Sequence, residues 1–453
     1  MGAGAEAAYT AAASGCKIGG QGPPSQAGPG WFWPLLVTTS NPTTATTATA
    51  GQVNLELPAV QPKPNAPSQG ELSIGVIGGG QLAWMLADAA QQLGIQLHSQ
   101  TPGDSDPATR LASSVIQAPL GDVSATAELA RRCGAITFEN EWLDLAALAP
   151  LAEAGVRFLP SLQALEPLVC KRSQRLLLDR LQLPTLSWSE MPEPGEELPP
   201  GMALPLMAKV ATGGYDGKGT ALLRSPADLA WLQRRVNSAD WILEELVAFD
   251  LELAITVARD MEGRVEVWPL AQTHQHRQVC DWVLTPAALP HAVQAFARNI
   301  ACSLVTALDY VGVLSIEFFY GPAGLQVNEI APRTHNSAHV TIEASATSQF
   351  SQQARIVAGM PLASTALQVP GAVMVNLLGY EISTAEYLDE RRALEALPGA
   401  TLHWYGKQGS RLGRKLGHVT LLLQATESQA RASEAQQKVA EVRSIWPLPP
   451  DAP

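Results

Sequence analysis

The order of apolar and polar residues predicts an α/β unit punctuated by glycines. Residues 72–77 form a continuous apolar run typical of a buried strand, and three glycines follow at 78–80. The next apolar side chains recur at helical spacing as far as Gly94, a residue suited to end a helix. Alternation at Ile95 and Leu97 predicts a second strand. This order of elements predicts one half of an open α/β sheet.

Further along the chain, the pattern predicts a mixture of helices and short strands. A strand at 135–138 ends in the acidic tripeptide 139–141 (Glu-Asn-Glu), and a helical stretch follows at 160–183. The other predicted elements are hairpins at 250–268 and 311–330, a helix at 345–359, and strands at 372–378 and 419–423.

The two ends of the chain are predicted to lie outside the folded part. Residues 1–70 are rich in Ala, Gly, Pro and Thr and carry almost no charge, which predicts a disordered low-complexity tail. A plastid-type targeting peptide and a mis-assigned start codon are the alternatives. A mitochondrial peptide is disfavoured because the first arginine of the chain is Arg110. Residues 441–453 are predicted to form a second, loose tail.

Composition narrows the function classes. Of 453 residues, 46% are hydrophobic, which is enough for a sizeable core. With 30 basic and 42 acidic residues, the net charge of −12 disfavours a general nucleic-acid binder but not a small anionic substrate. Five scattered cysteines without a Cys-x-x-Cys pair disfavour a disulfide framework or a structural zinc site and favour a reducing compartment. No apolar run approaches the roughly 20 residues of a membrane span.

The first glycine turn matches a dinucleotide-binding fingerprint only in part. The pattern Gly78-x-Gly80-x-x-Ala83 follows a predicted strand and precedes a predicted helix. A nicotinamide site also needs an acidic residue at the end of the second strand, and none occurs there before Asp104. We therefore disfavour an oxidoreductase, although the amides of the turn could still hold an anion.

The second glycine-rich segment, residues 213–219 (Gly-Gly-Tyr-Asp-Gly-Lys-Gly), predicts a flap over phosphates. It is not a P-loop, because Thr212 and Gly219 occupy positions where that motif needs Gly and Ser or Thr. A tight hairpin is the simpler alternative. Lys209 lies in the apolar strand just before the segment and needs an anionic partner, because an unpaired buried ammonium group is costly. That requirement favours the flap.

Two glutamates are predicted to meet on paired strands. Glu317 and Glu329 each lie in a strongly apolar run, and the eleven residues between them contain a turn. Two carboxylates in a site of low polarity repel unless a cation lies between them. Mg²⁺ bridging nucleotide phosphates answers this requirement. The alternative is a pair of glutamates on the exposed face of an edge hairpin.

Two polar segments complete the candidate chemistry. Residues 333–339 (Arg-Thr-His-Asn-Ser-Ala-His) are dominated by hydrogen-bonding side chains and predict a pocket wall. A glycine-rich loop then carries four cations, Lys407, Arg411, Arg414 and Lys415, in an otherwise acidic protein. Such a cluster suits a sugar phosphate. Ordinary solvated loops are the alternative in both cases.

Four motifs in this order resemble those of the 5-(carboxyamino)imidazole ribonucleotide synthetases, which belong to the ATP-grasp superfamily. They occupy residues 78–82, 213–219, 328–337 and 413–418, and the likeness covers about residues 72–440. The resemblance implies an α/β and α+β fold with ATP-grasp architecture. The implied domains are an N-terminal Rossmann-like (pre-ATP-grasp) domain at 71–165, an ATP-grasp linker and lid domain at 166–250, an ATP-grasp central domain at 251–365 and a small C-terminal subdomain at 366–440.

The resemblance also implies a reaction. ATP, with Mg²⁺, and bicarbonate would form carboxyphosphate, which carboxylates the exocyclic amine of 5-aminoimidazole ribonucleotide in purine biosynthesis. The implied protein is a cytoplasmic homodimer that binds neither nucleic acid nor membrane. Another ATP-grasp ligase, such as a formate-dependent glycinamide ribonucleotide transformylase, is the alternative, and a nucleotide-binding oxidoreductase is a distant one. A biotin carboxylase should carry a longer central insert.

Roles at matching positions follow from the same resemblance. ATP is expected to contact Lys171, Lys209, Gly213, Gly214, Tyr215, Gly217, Gly219, Glu244, Glu245, Leu246, Val247, Glu252, Asn328 and Glu329. Magnesium is expected on Glu317 and Glu329. The ribonucleotide is expected to contact Gln81, Leu82, Asp216, Arg333, His335, Asn336, Ser337, Lys407 and Arg414. Catalytic roles are expected for Asp216, Lys218 and Arg333.

The sequence departs from the family pattern at several positions. Lys171 and Lys218 stand where the family often has arginine, which keeps the charge but loses the planar fork. The pair Ala83-Trp84 replaces Gly-Arg after Gln81-Leu82. The histidine region at 272–277 aligns ambiguously, so His274 and His276 are left without a role.

Overall fold

The computed structural model describes residues 72–214 and 218–450. The predicted tail at 1–70 therefore lies outside the described residues, as do Tyr215, Asp216 and Gly217 of the predicted flap. Within the described ranges the chain forms three β-sheets with helices packed around them. No helix there is long and apolar enough to cross a bilayer.

The first sheet has four parallel strands in the order β3-β2-β1-β4. Its strands are β1 (Ser73–Ile77), β2 (Gln96–Thr101), β3 (Ser114–Gln117) and β4 (Ile136–Phe138). The helices after them are α1 (Gln81–Gln92), α2 (Val123–Arg132), α3 (Leu145–Glu153), α4 (Leu162–Leu165) and α5 (Lys171–Arg180). The predicted strand, glycine turn, helix and strand are confirmed, and Gly94, with a φ of +68°, follows the end of α1.

The second sheet is small and antiparallel, in the order β5-β8-β6-β7. Its strands are β5 (Trp188–Glu190), β6 (Leu206–Val210), β7 (Thr220–Leu223) and β8 (Trp241–Glu245), and α6 (Pro226–Gln233) follows β7. Ser225 begins α6 with a capping box, in which its hydroxyl accepts from the Asp228 amide while the Asp228 carboxylate accepts from the Ser225 amide. The sheet presents the glycine-rich segment 213–219 between β6 and β7.

The third sheet has nine strands, and its eight-strand path runs β14-β13-β9-β11-β12-β15-β17-β16, with β10 paired to β9. Its strands are β9 (Leu251–Arg259), β10 (Val265–Val267), β11 (Ala271–His276), β12 (Val279–Thr285), β13 (Gly312–Gly321), β14 (Gly324–Ala331), β15 (Gly371–Leu378), β16 (Ala400–Trp404) and β17 (Lys415–Leu423). The helices around it are α7 (His291–Ala307), α8 (Thr341–Ala344), α9 (Gln349–Val357), α10 (Leu388–Glu395) and α11 (Ser428–Ile445).

Both predicted hairpins of this sheet are confirmed as β9–β10 and β13–β14. The predicted helix at 345–359 is shorter and occupies α9. Strands of the predicted central domain and of the predicted C-terminal subdomain belong to one continuous sheet, because β12 pairs with β15. The polar side chains of β14 and the loop between β16 and β17 are therefore held by the same sheet.

The predicted tail at 441–453 is wrong for its described part. Residues up to Ile445 continue α11, and Trp446 is fully buried. The indole Nε1 donates to the Leu378 carbonyl at 2.8 Å, and the ring packs edge-on against Tyr380, Tyr387 and Trp404. A polar, alanine-rich helix with few large apolar residues gave no clear periodic signal, so the sequence reading missed its anchor.

Candidate active site

Lys209 has the anionic partner that its place in β6 requires. Its ammonium nitrogen lies 2.7 Å from a carboxylate oxygen of Glu244 on the neighbouring strand β8 and 3.0 Å from the Asn328 side-chain oxygen on β14. Glu244 is 1% exposed, and the Lys209 and Arg175 charges overcome burial to hold its pKa near 2. The carboxylate is therefore ionised, and Lys209 joins the small sheet to the large one through Asn328.

Arg175 is a site residue that the sequence reading missed. It lies on the buried face of α5, and its Nη2 contacts Glu244 at 2.6 Å. The same guanidinium donates to the carbonyls of Val327 and Asn328 at 2.8 and 2.6 Å. The sequence does place Arg175 next to the buried apolar residues of α5. An arginine buried there needs several hydrogen-bond acceptors.

The strands that flank the glycine-rich segment, β6 and β7, are paired antiparallel. The Val210 amide donates to the Gly219 carbonyl at 2.8 Å. Gly219 has a φ of +76°, and a Cβ there would lie 2.3 Å from Val210 Cγ1, so the position requires glycine. Gly213 and Gly214 precede the part of the segment outside the described residues, and Lys218 follows it.

Glu317 and Glu329 are brought together as predicted. They are direct partners in the register of β13 and β14, beside a shift of that register. The Lys171 ammonium lies 2.5 Å from Glu329 and lowers the pKa of that carboxyl against the effect of burial. Burial, and next the charge of Glu329, raises the pKa of Glu317 to about 7. The close lysine contact therefore favours the charged form of Glu329, whereas burial and repulsion prevail at Glu317.

Glu252 is a third carboxylate beside this pair. It lies on β9, and burial followed by the charge of Glu317 raises its pKa to about 8. The predicted stretch 244–247 leaves β8 nearby, where Glu245 accepts from the Ser187 amide at 3.0 Å and Leu246 and Val247 are half-buried. Nucleotide contacts at 244–247 and at Glu252 stay predictions.

Arg333 forms an ion pair that the sequence reading did not foresee. Its Nε lies 2.5 Å from Glu141, which follows β4 in the first sheet, and both side chains are largely buried. This pair connects the end of β14 to the N-terminal sheet. The acidic tripeptide at 139–141 was visible in the sequence, but nothing local to it indicates a partner 192 residues away.

Three predicted ribonucleotide contacts follow Arg333 and are held from several sides. The His335 imidazole lies 2.9 Å from the Ser337 hydroxyl and 3.8 Å from Glu317. Burial lowers the pKa of His335 well below its usual value, so the ring is neutral near pH 7. Asn336 exchanges side-chain hydrogen bonds of 2.7 and 3.0 Å with Asn376 on β15.

The basic loop is built from its own carbonyl groups. Lys407 donates to the Lys415 carbonyl at 2.9 Å, and Arg414 Nη1 donates to the carbonyls of Gln408 and Gly409 at 2.6 and 2.8 Å. The Lys415 charge lowers the pKa values of both His335 and Glu317, although burial opposes it at Glu317. Of the four cations, Lys415, the first residue of β17, is the one whose charge acts on His335 and Glu317, so ribonucleotide contacts at Lys407 and Arg414 stay predictions.

Glu139 fills the first glycine turn, which explains why that turn is not a dinucleotide site. Its carboxylate accepts from the amides of Gly80, Leu82 and Ala83 at 2.7, 3.1 and 3.3 Å. The anion that the turn could hold is thus a side chain of the same chain. Burial raises the pKa of Glu139 despite these bonds. Gln81 and Leu82 begin α1 directly beside this carboxylate.

His274 and His276 lie on β11, which β9 separates from the two strands of the carboxylate pair, β13 and β14. His274 stacks on Trp282 with ring centroids 5.2 Å apart and contacts Asp281 at 3.1 Å. Burial lowers the pKa of His276.

Trp84, one of the departures from the family pattern, packs edge-on against Tyr405, with ring centroids 6.3 Å apart.

Comparison with known proteins gives three adjoining domain matches. The ribonucleotide synthetase preATP-grasp domain matches residues 72–168, and the ATP-grasp domain matches 176–350. The phosphoribosylaminoimidazole carboxylase C-terminal domain matches residues 372–432. These matches confirm the predicted ATP-grasp architecture.

Proteins that are similar over most of their length include N5-carboxyaminoimidazole ribonucleotide synthases. An N5-carboxyaminoimidazole ribonucleotide synthase from Synechococcus elongatus is 51% identical over 382 residues, which are 84% of this chain and 96% of the relative. A crystal structure of an N5-carboxyaminoimidazole ribonucleotide synthetase with ADP has 31% identity and a TM-score of 0.74, covering 83% of this chain and 97% of that one. An Aspergillus clavatus enzyme in complex with ADP and 5-aminoimidazole ribonucleotide has 27% identity and a TM-score of 0.72, covering 83% and 99%.

Proposed function

The chain belongs to the N5-carboxyaminoimidazole ribonucleotide synthase family, and from that premise we propose that it carboxylates 5-aminoimidazole ribonucleotide with ATP and bicarbonate. The observation that carries the proposal is the direct pairing of Glu317 with Glu329 between two lysines and a polar pocket wall. The enzyme is an ATP-dependent ligase that forms a carbon–nitrogen bond in purine biosynthesis.

The nucleotide half of the site lies between the two sheets that the Lys209–Asn328 contact joins. Lys171 and Lys209 supply positive charge there, and each is mostly buried. The glycine-rich segment lies directly after Lys209, where backbone amides can approach phosphates. We assign ATP to this cleft, with the 244–247 stretch and Glu252 as further contacts.

Magnesium fits the carboxylate pair. Burial, and next the charge of Glu329, raises the pKa of Glu317 to about 7, and a divalent cation would relieve the repulsion between the two carboxylates. Glu317 and Glu329 would therefore hold Mg²⁺ together with phosphate oxygens. When bound, the metal neutralises charge on the transferring phosphoryl group.

The ribonucleotide half of the site lies beyond Glu317. Arg333, His335, Asn336 and Ser337 form its wall, and Lys407 and Arg414 supply cations for the sugar phosphate. Gln81 and Leu82 approach from the start of α1. A neutral His335 can accept or donate a hydrogen bond to the aminoimidazole without adding charge.

The reaction proceeds by two group transfers. A bicarbonate oxygen bonds to the γ-phosphorus of ATP while the bond to the β-phosphate oxygen breaks, which gives carboxyphosphate and ADP. Carboxyphosphate then breaks its carbon–oxygen bridge and releases CO₂ and phosphate. The exocyclic amine bonds to the CO₂ carbon and loses one proton. Asp216 and Lys218, in the predicted flap, and Arg333 are assigned to the reacting groups, where positioning and charge neutralisation are the main requirements.

We further assign the protein to the cytoplasm and to a homodimer. These two assignments rest on the family alone. Size-exclusion chromatography with light scattering tests the oligomeric state, and it is independent of the activity assay.

The experiment that tests the function is a set of omissions. Purified protein is mixed with ATP, Mg²⁺, bicarbonate and 5-aminoimidazole ribonucleotide, and ADP release is followed with each substrate left out in turn. We expect full release only with all three substrates and incorporation of labelled bicarbonate into an acid-labile product. ADP release that instead depends on formate and glycinamide ribonucleotide would contradict the proposal and favour the alternative ligase.

A further inference from the structure

Arg110 joins the N-terminal sheet to the basic loop. It ends a 3₁₀ turn at Pro107–Arg110, and its Nη2 donates to the Tyr405 carbonyl at 2.5 Å. The two residues are 295 positions apart in the chain. Gly406 follows with a φ of +65°, and a Cβ there would lie 2.4 Å from Arg110 Nη1. The guanidinium therefore packs directly on the backbone where the loop begins.

The other end of this connection is fixed to the first glycine turn. The Ala108 amide, two residues before Arg110, donates to the Gly79 carbonyl at 2.9 Å. Gln81 and Leu82 begin α1 immediately after that turn. Arg110 is thus carried by a backbone segment attached to the glycine turn that precedes Gln81 and Leu82, two predicted ribonucleotide contacts.

The residues that Arg110 holds lead directly to Lys407. Tyr405 is fully buried, and its hydroxyl lies 2.8 Å from His418 Nδ1. The Lys407 ammonium lies 5.3 Å from the centroid of the Tyr405 ring. Trp84 packs against the same ring, and the Arg110 guanidinium lies 6.0 Å from the Trp84 ring. An arginine, two aromatic rings and a lysine therefore form one contiguous contact.

We propose that Arg110 is a positioning residue for the sugar-phosphate subsite, because it fixes the start of the 405–414 loop against the glycine turn and so sets the place of Lys407. The inference rests on the proposed function, since it concerns how 5-aminoimidazole ribonucleotide is held. Arg110 itself touches no reacting group in this scheme. Its contribution is to keep two contact surfaces of one ligand at a constant separation.

The test compares Arg110→Ala with Arg131→Ala, which removes an exposed arginine of α2 in the same sheet unit. We expect Arg110→Ala to raise the KM for 5-aminoimidazole ribonucleotide about tenfold, because ligand binding must then order a loop that has lost one charge-assisted hydrogen bond. The KM for ATP and kcat should stay within about twofold of wild type, because the nucleotide cleft is untouched. Arg110→Lys should rescue part of the effect, since it keeps one donor but not the fork.

A second variant examines the route through the loop. Gly406→Ala should also raise the KM for the ribonucleotide, because the added methyl group meets the guanidinium and the backbone is strained. In the Arg110→Ala background the same substitution should have a smaller effect, since the clash is gone. Additive effects in this double-mutant cycle would overturn the proposed route.

The outcomes separate the two proposals. Wild-type protein that forms no ADP in response to 5-aminoimidazole ribonucleotide would overturn the proposed function and this inference with it. Active wild type with Arg110→Ala matching Arg131→Ala would overturn the inference alone. Equal rises in both KM values, or a loss of kcat with an unchanged KM, would show that Arg110 acts on general stability and not on the subsite.

Discussion

Glu317 and Glu329 are direct partners across β13 and β14, yet their pKa values move in opposite directions. Lys171 lies against Glu329 and stabilises its charged form, whereas Glu317 bears the repulsion of its partner in addition to burial. Before any cation binds, Glu317 therefore holds its proton to a higher pH than Glu329 does.

Magnesium should compete with a proton for Glu317. Below a pH of about 7, each further pH unit should weaken apparent Mg²⁺ binding about tenfold, because one proton must leave. Above a pH of about 8 the dependence should disappear. The measurement is the Mg²⁺ concentration for half-maximal turnover at pH 6, 7 and 8, with ATP and both other substrates saturating.

Two variants check the assignment of this proton. Glu317→Gln should sharply reduce turnover and remove the pH dependence of the Mg²⁺ requirement. Glu329→Gln should also reduce turnover but should bring the pKa of Glu317 down, since it removes a neighbouring charge. Equal Mg²⁺ requirements at pH 6 and pH 8 in the wild type would contradict the metal assignment.

Arg175→Met should destabilise the fold by about 3–5 kcal/mol, since it leaves the buried Glu244 with Lys209 as its one remaining charge partner and removes the donor to two carbonyls. The depressed pKa of Glu244 contributes stability at neutral pH that is lost as pH falls from its ordinary 4.5 towards about 2. Urea unfolding at pH 7 measures the difference. Arg180→Met, at the exposed end of α5, is the matched control, and equal stabilities of the two variants would show that the buried pair contributes nothing.

Local patterns predicted the parts of the site that depend on neighbouring residues. The β13–β14 hairpin follows from two apolar runs and a turn, and its register brings Glu317 opposite Glu329. Lys209 required an anion because it lies in an apolar strand. In the first case the apolar runs and the turn lie next to the two glutamates in the sequence. In the second case the apolar strand contains Lys209 itself.

The partners that cross the fold could not be predicted in this way. Glu139 meets amides about 57 residues before it, and Arg175 meets a glutamate 69 residues after it. Such contacts depend on which helix and strand become adjacent, and hydrophobic periodicity carries no information about that. Strands β11 and β12 and helix α7 were not predicted either. Polar residues interrupt the alternating pattern of the two strands.

Trp446→Ala should lower the free energy of unfolding by about 3–5 kcal/mol, since loss of a fully buried indole leaves a cavity and an unpaired Leu378 carbonyl. Trp446→Phe, which keeps most of the ring volume, should have a stability between those of wild type and Trp446→Ala. Thermal unfolding measures the difference.

Deleting residues 1–70 should leave the melting temperature and kcat nearly unchanged, because the preATP-grasp match begins at residue 72. Thermal unfolding and steady-state assays measure both quantities. A deletion variant that aggregates or loses activity would show that the N-terminal segment contributes to the fold.

Arg414→Ala should raise the KM for 5-aminoimidazole ribonucleotide far more than the KM for ATP. Arg414 both carries a charge and ties the loop, because its Nη1 donates to the carbonyls of Gln408 and Gly409. Burial, and then the charge of Arg411, lowers the pKa of Arg414. A bound anion would stabilise the charged guanidinium against both effects. Lys171 and Lys209 are assigned to ATP, so the sugar phosphate needs other cations.

The size and form of this effect follow from what the substitution removes. Losing a contact made equally in the ground and transition states raises KM and leaves kcat nearly constant, here by about 10- to 100-fold in KM. Arg414→Lys should recover only part of the loss, because an ammonium keeps the charge but cannot hold two carbonyls and a phosphate through one planar group. Arg392→Ala, on the exposed surface of α10, removes the same charge from the C-terminal subdomain and should leave both KM values unchanged. Titration of each substrate with the other two saturating decides the matter: a raised KM for ATP alone would assign the basic loop to the nucleotide.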